Sequence, residues 1–349
     1  MIALVVGGGP VGSLLAGSLA RSGAAVSLVR RRAERRTRQV RCVEISPDGT
    51  RSDAILTEVQ EPGAASGAPD LIVFAVKAFD LAGATASCAI WPRAPALTVQ
   101  NGIGAEGMVA AARPFAPVLA GSLTTSASLS ADGSLRLLTR GGLGLAGTSG
   151  DPGTTLDDLV STFIRGGLPA RVYPDASAMK WSKLLLNLVG NATSALLDVG
   201  PREIYADPTL YRVELAQLRE ALAVMREQRL RIVRLPGVDP RLLAGALRLP
   251  EALARMILAR TVDGGRGGKM PSLRLHLRGG GGPSEVAWLN GAVARTAAEH
   301  GLAAPVNAVL ARLVDEAAVD PKRRAWFAGR PDRLMAELLD RPMAGRHQP

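Results

Sequence analysis

At 349 residues the chain has room for two domains of about 150 residues each, and 47% hydrophobic content supplies packed cores, which excludes global disorder. No aliphatic run approaches the roughly 20 residues of a membrane span. The formal charge of +11 invites a nucleic-acid reading, but with 3% aromatic residues there are no stacking platforms and no recognition motif, so no nucleic-acid partner is expected.

The start, Ile2-Ala3-Leu4-Val5-Val6, has no basic n-region of a secretory leader, and a cytoplasmic protein is expected. This unbroken aliphatic run predicts a strand buried on both faces. Gly7-Gly8-Gly9-Pro10-Val11-Gly12 follows, then a helix from Ser13 to Ser22 ended by Gly23, then a second strand, Ala25-Val26-Ser27-Leu28-Val29. Strand, glycine turn, helix and strand within 30 residues open a doubly wound α/β sheet of the Rossmann type. Leu71 to Val76, Ala96-Leu97-Thr98-Val99 and Ser134 to Leu138 read as further strands, and Val172 as the last strand residue.

Beyond residue 172 the apolar spacing turns helical. Helices are predicted over 209–231, 284–300 and 307–318. The predicted organisation is a nucleotide-binding domain over 1–172, an all-α domain over 173–320 and a tail over 321–349 with one short helix at 332–339. The glycines at 264–268 and 279–282 predict flexible loops. Cys42 and Cys88 give neither a disulfide framework nor metal-ligand spacing, so no metal is expected.

Gly7, Gly9 and Gly12 satisfy G-x-G-x-x-G directly after a strand and at the opening of a helix. The first glycine allows the tight turn, the second lets a pyrophosphate approach the backbone, and the third lets helix pack on strand. Pro10 and Val11 complete the turn, and the helix N-terminus favours phosphate. At the end of the second strand, where an acidic residue would bond a ribose 2′-hydroxyl, stands Arg30-Arg31-Arg32. Guanidinium groups grip a 2′-phosphate, so NADP(H) is the expected cofactor, with Arg30 and Arg31 best placed.

Only five of the 42 basic residues are lysines, which draws attention to each. Lys183, Asn187 and Asn191 stand at i, i+4 and i+8, and on one helix they drift only about 80°. A lysine and two carboxamides on one face of a leucine-rich helix supply a proton donor and hydrogen-bonding edges. Such a stripe is costly to bury unless it lines a cavity. Lys180 is the rival donor; it is offset in the opposite sense, and its replacement is expected to spare most activity. Glu285 is expected in the first turn of an otherwise apolar helix.

The motifs together resemble the ketopantoate reductase (2-dehydropantoate 2-reductase) family. They are the opening Gly7 to Ser13, Val76-Lys77-Ala78, Gln100-Asn101-Gly102, Trp181-Ser182-Lys183-Leu184 with Asn187 and Asn191, Pro271-Ser272, Ser284-Glu285-Val286, Asn290-Gly291 and Ala304-Pro305-Val306-Asn307. The resemblance implies a Rossmann domain, a helical domain of the 6-phosphogluconate dehydrogenase C-terminal type, a cleft between them and a homodimer. It implies NADPH-dependent reduction of a 2-oxo acid, foremost 2-dehydropantoate in pantothenate and coenzyme A synthesis. In that scheme Lys183 is the general acid and Glu285 binds the substrate hydroxyl. Asn187, Asn191 and Ser272 orient the substrate, and Asn101 lies between nicotinamide and substrate; Lys77, at the end of a Rossmann strand, is expected to serve the cofactor or cleft packing. The competing readings are reduction of another 2-oxo or imino acid on the same fold, and a non-catalytic NADP(H)-binding sensor.

Overall fold

Strand β1 (Ile2–Val6) carries Ala3, Leu4 and Val5 with no solvent exposure, as its unbroken aliphatic run requires. It belongs to a computed structural model that describes residues 1–30, 37–149, 155–264 and 270–339. After β1 come α1 (Pro10–Arg21), β2 (Ala25–Val29), β3 (Thr37–Ile45), β4 (Arg51–Val59), β5 (Leu71–Phe74), α2 (Leu81–Ser87), β6 (Ala96–Thr98) and α3 (Ala105–Ala112). Then follow β7 (Val118–Leu123), β8 (Ala127–Leu129), β9 (Leu135–Leu137), β10 (Leu143–Ser149), α4 (Thr155–Arg165), β11 (Ala170–Val172) and α5 (Ala176–Leu188).

The strands form one sheet in the order β11-β10-β7-β6-β5-β1-β2-β4-β3-β9-β8. From β7 through β4 every neighbouring pair is parallel. The register sets Val6 opposite both Val29 and Phe74, and Phe74 opposite Thr98, so the carboxyl ends of β1, β2, β5 and β6 finish level. The chain runs from β1 to β2 on one side and later reaches β5 on the other. This reversal is the switch point where doubly wound sheets bind ligands.

The chain divides into two compact units, residues 1–186 with 230–243, and residues 187–229 with 244 onward. The second unit is helical. Its helices are α6 (Ala192–Leu197), α7 (Pro201–Ala206), α8 (Pro208–Glu227), α9 (Pro240–Ala246), which starts in the first unit, α10 (Glu251–Gly264), α11 (Ser272–Arg278), α12 (Asn290–Glu299), α13 (Pro305–Val319), α14 (Pro321–Phe327) and α15 (Pro331–Leu339). Among the described residues no helix is long and apolar enough to cross a membrane.

The structure adds the β3–β4 hairpin and α14 to the expected elements, and it departs from expectation at Glu285. Arg38 and Arg41 stand on β3, in a hairpin with β4, and pair with Glu58 and Asp53. One face of β3 is turned largely to solvent, so its charged residues hid the strand. The 284–300 segment is a 3-10 turn (Val286–Trp288) followed by α12, so Glu285 precedes a short turn rather than sitting inside a helix. Within the supposed tail the short helix expected at 332–339 is α15, and a further helix, α14, precedes it; the two bury Leu334 and Phe327 completely. The glycine stretch at 265–268 lies outside the described residues.

Candidate active site

The turn after β1 shows why three of its positions are glycine. Gly7 has φ +119°, and a Cβ there would stand 2.7 Å from the Ala75 carbonyl carbon. A Cβ on Gly12 would meet the Gly7 carbonyl oxygen at 1.8 Å, so α1 seats on β1 only without a side chain. Gly9 is exposed, with no heavy atom within 4 Å of a built Cβ, and it caps α1 with Pro10 and Val11 in the first turn. A tight turn, an open approach and a close helix contact are the three duties of a dinucleotide-binding turn, and the residues fit that group. Among them, Gly9 and the N-terminus of α1 would hold the pyrophosphate.

Arg30 directly follows β2 and reaches back over this turn. A Cβ on Gly8 would lie 2.6 Å from Arg30 Nε. The same nitrogen is 3.0 Å from Glu58 Oε1, and Nη2 approaches Ser13 Oγ at 3.4 Å. Arg31 lies outside the described residues.

Gln100 joins the neighbouring strand ends. Its Nε2 donates to the Phe74 carbonyl at 2.8 Å and to the Val76 carbonyl at 3.0 Å. This ties the segment bearing the exposed Lys77 to that bearing the exposed Asn101. Lys180 secures the arrangement from α5. Its buried Nζ donates to the Gln100 carbonyl at 2.7 Å and pairs with Glu106 at 2.8 Å, whose Oε1 also accepts from Thr98 Oγ1 at 2.9 Å. Lys180 therefore holds this region together: its loss strands a carboxylate and a carbonyl in the interior. Lys183 sits one turn farther along α5, partly buried and flanked by the buried Ser182 and Leu184.

In the helical unit the predicted stripe breaks. Asn187 rides on α5, but α5 ends at Leu188, and Gly190 takes φ +53° before α6 begins. Asn191 is therefore the N-terminal flank of α6, not a third rung of one helix. It is buried, and its Oδ1 accepts from the Leu273 amide at 3.2 Å. That bond holds α11, headed by the exposed Ser272, beside Asn191.

A residue that the spacing did not point to holds this break. Glu214 of α8, fully inaccessible, accepts from the Gly190 amide at 2.6 Å, from Thr193 Oγ1 at 2.7 Å and from the Tyr205 hydroxyl at 3.3 Å. Burial raises its pKa above the ordinary carboxylate value, against the opposing pull of those hydrogen bonds. A glutamate on a helical stripe is usually solvated, so only the tertiary fold marks this one.

Glu285 is buried. Its neighbour Ser284 donates from Oγ to Asp315 at 2.8 Å and accepts from the Val286 amide at 3.2 Å. The preceding glycines are fixed rather than loose. Gly280, Gly281 and Gly282 all have positive φ, and the Gly282 amide donates to the Ala318 carbonyl at 2.8 Å. Arg324 spreads one guanidinium over the carbonyls of Ala317, Leu277 and Gly280. Asn290 and Asn307, both within the family-like motifs, serve packing: Asn290 Nδ2 donates to Gln217 at 2.8 Å and to Asn307 at 2.9 Å. Glu220 meanwhile accepts from the Val306 and Asn307 amides at the start of α13, each at 2.9 Å.

Two family models match the chain. "Ketopantoate reductase PanE/ApbA" covers residues 3–148, and "Ketopantoate reductase PanE/ApbA C terminal" covers residues 175–318. A 2-dehydropantoate 2-reductase of Halobacterium salinarum is 30% identical over 320 residues, spanning 90% of this chain and 98% of that protein. The chain belongs to the ketopantoate reductase family. Another 2-dehydropantoate 2-reductase, from Pyrobaculum aerophilum, is 28% identical and covers 89% of this chain and 95% of its own.

Among solved structures, a PanE/ApbA family ketopantoate reductase from Ralstonia eutropha matches with a TM-score of 0.74 at 24% identity, over 93% of this chain and all of that one. A D-mandelate dehydrogenase with NADH and anilino(oxo)acetate matches at 0.72 and 20% identity, over 91% and 98%. These likenesses carry the fold, a Rossmann domain with a helical C-terminal domain. The protein is accordingly an oxidoreductase of the 2-dehydropantoate 2-reductase type, acting on CH–OH groups. A nicotinamide cofactor goes with the family and with the glycine turn. Helices α14 and α15 lie beyond the matched residues.

Proposed function

We propose that the protein reduces 2-dehydropantoate to pantoate with NADPH, as a cytoplasmic homodimer serving pantothenate and coenzyme A synthesis. The observation that carries this reading is the glycine turn with Arg30 over Gly8, in a chain whose full-length relative is a 2-dehydropantoate 2-reductase. A guanidinium beside the turn favours the 2′-phosphate of NADPH over the bare ribose of NADH.

The bound nicotinamide supplies a hydride. Lys183 stabilises the negative charge that develops on the carbonyl oxygen and delivers a proton there, a role for which an ammonium suits on both counts. Asn187, Asn191 and Ser272 offer hydrogen bonds that orient the 2-oxo acid. Glu285 accepts from the substrate hydroxyl. Asn101 and Lys77, on segments joined through Gln100, serve the nicotinamide end of the cofactor.

The test is NADPH consumption against a panel of 2-oxo acids. Ketopantoate with NADPH is expected to have the highest kcat/KM, ahead of the same acid with NADH. A faster reaction with a different 2-oxo acid would reassign the substrate, and equal use of NADH would remove the NADPH preference. Light scattering at twice the chain mass is the expected result for the homodimer; a strict monomer contradicts it.

A further inference from the structure

Strand pairing sets Leu28 opposite Glu58, which places the glutamate beside the end of β2 and hence beside Arg30. Its side chain is 1% exposed. Its two carboxylate oxygens are treated differently. Oε2 accepts a well-aligned bond from Arg38 Nε at 2.7 Å, with Arg38 Nη2 at the same distance. Oε1 faces Arg30 Nε at 3.0 Å, yet neither atom has an aligned hydrogen bond among the described residues. A buried carboxylate oxygen is thus left without a proper donor, next to the guanidinium that stands over Gly8. Charge rather than an aligned hydrogen bond holds this pair, and Arg30, the exposed member, is the one a ligand anion can engage.

The two nicotinamide dinucleotides differ at the one position that matters here. A free ribose 2′-hydroxyl is a donor. A 2′-phosphate brings only acceptor oxygens and negative charge, which a neighbouring carboxylate opposes. Resting on the dinucleotide reading above, we propose that Glu58 is a cofactor-specificity determinant. From beneath Arg30 its buried carboxylate competes with the 2′-phosphate for the guanidinium, and so narrows the preference for NADPH over NADH. Arg30 pulls the selection one way and Glu58 the other.

The experiment titrates the full-length protein with 2′,5′-ADP and with 5′-AMP by calorimetry, in the unmodified chain, Glu58→Gln and Glu58→Asp. The readout is the ratio of the two dissociation constants. Glu58→Gln is expected to shift the ratio toward 2′,5′-ADP by about tenfold, the lower end for one contact to a charged group. Glu58→Asp keeps the charge and is expected to stay close to the unmodified ratio. An unchanged or reversed ratio in Glu58→Gln overturns the proposal, as does an equal shift in both variants, which would mark a packing effect. Should Glu58→Gln fail to fold, Arg38→Gln probes the same charge from its other side. With one compensating cation removed, the ratio is expected to move toward 5′-AMP, and no movement overturns the proposal. The NADPH reading fails separately, if the unmodified chain does not favour 2′,5′-ADP. A gain in Glu58→Gln from that starting point still supports the role of Glu58.

Discussion

Two glycine-rich segments, each overlain by an arginine, divide the work of this chain. At 7–12 the glycines clear space. Gly9 stays exposed, and Arg30 reaches Gly8 from a side chain still about one-third exposed at 36%. At 279–282 the last three glycines supply positive φ angles, and a Cβ on Gly281 would strike the Ala318 carbonyl oxygen at 2.1 Å. There Arg324 turns inward onto three backbone carbonyls. The same residue types leave an open, exposed turn in one place and form an internal splint in the other. The lysines of α5 repeat the contrast. Lys180 is locked to Glu106 and Gln100, whereas Lys183 is the group assigned to chemistry.

The comparison breaks most visibly at those lysines. Lys183→Ala is expected to lower kcat by about 10²–10⁴, the span for losing a general acid, while the melting temperature and NADPH affinity hold. Equal loss of activity and folded protein would erase the distinction. Lys180→Ala should do the reverse and destabilise the fold by about 3 kcal/mol, because it leaves Glu106 largely buried without its cation. Chemical denaturation measures that value, and an unchanged midpoint contradicts it. Arg324→Ala is expected to cost about 2 kcal/mol through its lost carbonyl bonds, with 2′,5′-ADP affinity intact. A loss of nucleotide affinity there would merge the two glycine segments into one function.

The smallest expected effect concerns pH. Glu214 has a raised pKa in the folded chain, so between its unfolded value of about 4.3 and that raised value the native state holds more protons. Stability therefore falls as pH rises through this window. Glu214→Gln removes that part of the slope, and its melting temperature should gain on the unmodified chain from acid toward neutral pH. Parallel profiles would show that Glu214 is not the group titrating.

What was legible in the sequence was local. The 7–12 turn, its flanking strands and the charge at Arg30 lie within 30 residues, and the strand periodicity speaks for itself. The helical stripe was half legible. Lys183 and Asn187 share α5, but Gly190 breaks the helix because Glu214, 24 residues on, captures its amide. The partners of Lys180 lie 80 and 74 residues away, and those of Arg324 up to 47, beyond the reach of any spacing argument. The β3–β4 hairpin was obscured by its own exposed charges. The short helix at 332–339 was legible and is α15, whereas α14 was hidden by Pro321, which opens a helix at its first turn instead of ending one.

The central claim, a hydride passed from NADPH to the 2-oxo carbon of ketopantoate, is tested most directly by isotope transfer. NADPH carrying deuterium at the transferring C4 position is reacted with ketopantoate and the enzyme, and the product is analysed by mass spectrometry and NMR. The account predicts pantoate with deuterium at C2, formed with the unmodified protein and strongly slowed with Lys183→Ala. Consumption of NADPH without label at C2, or no pantoate at all, would contradict it.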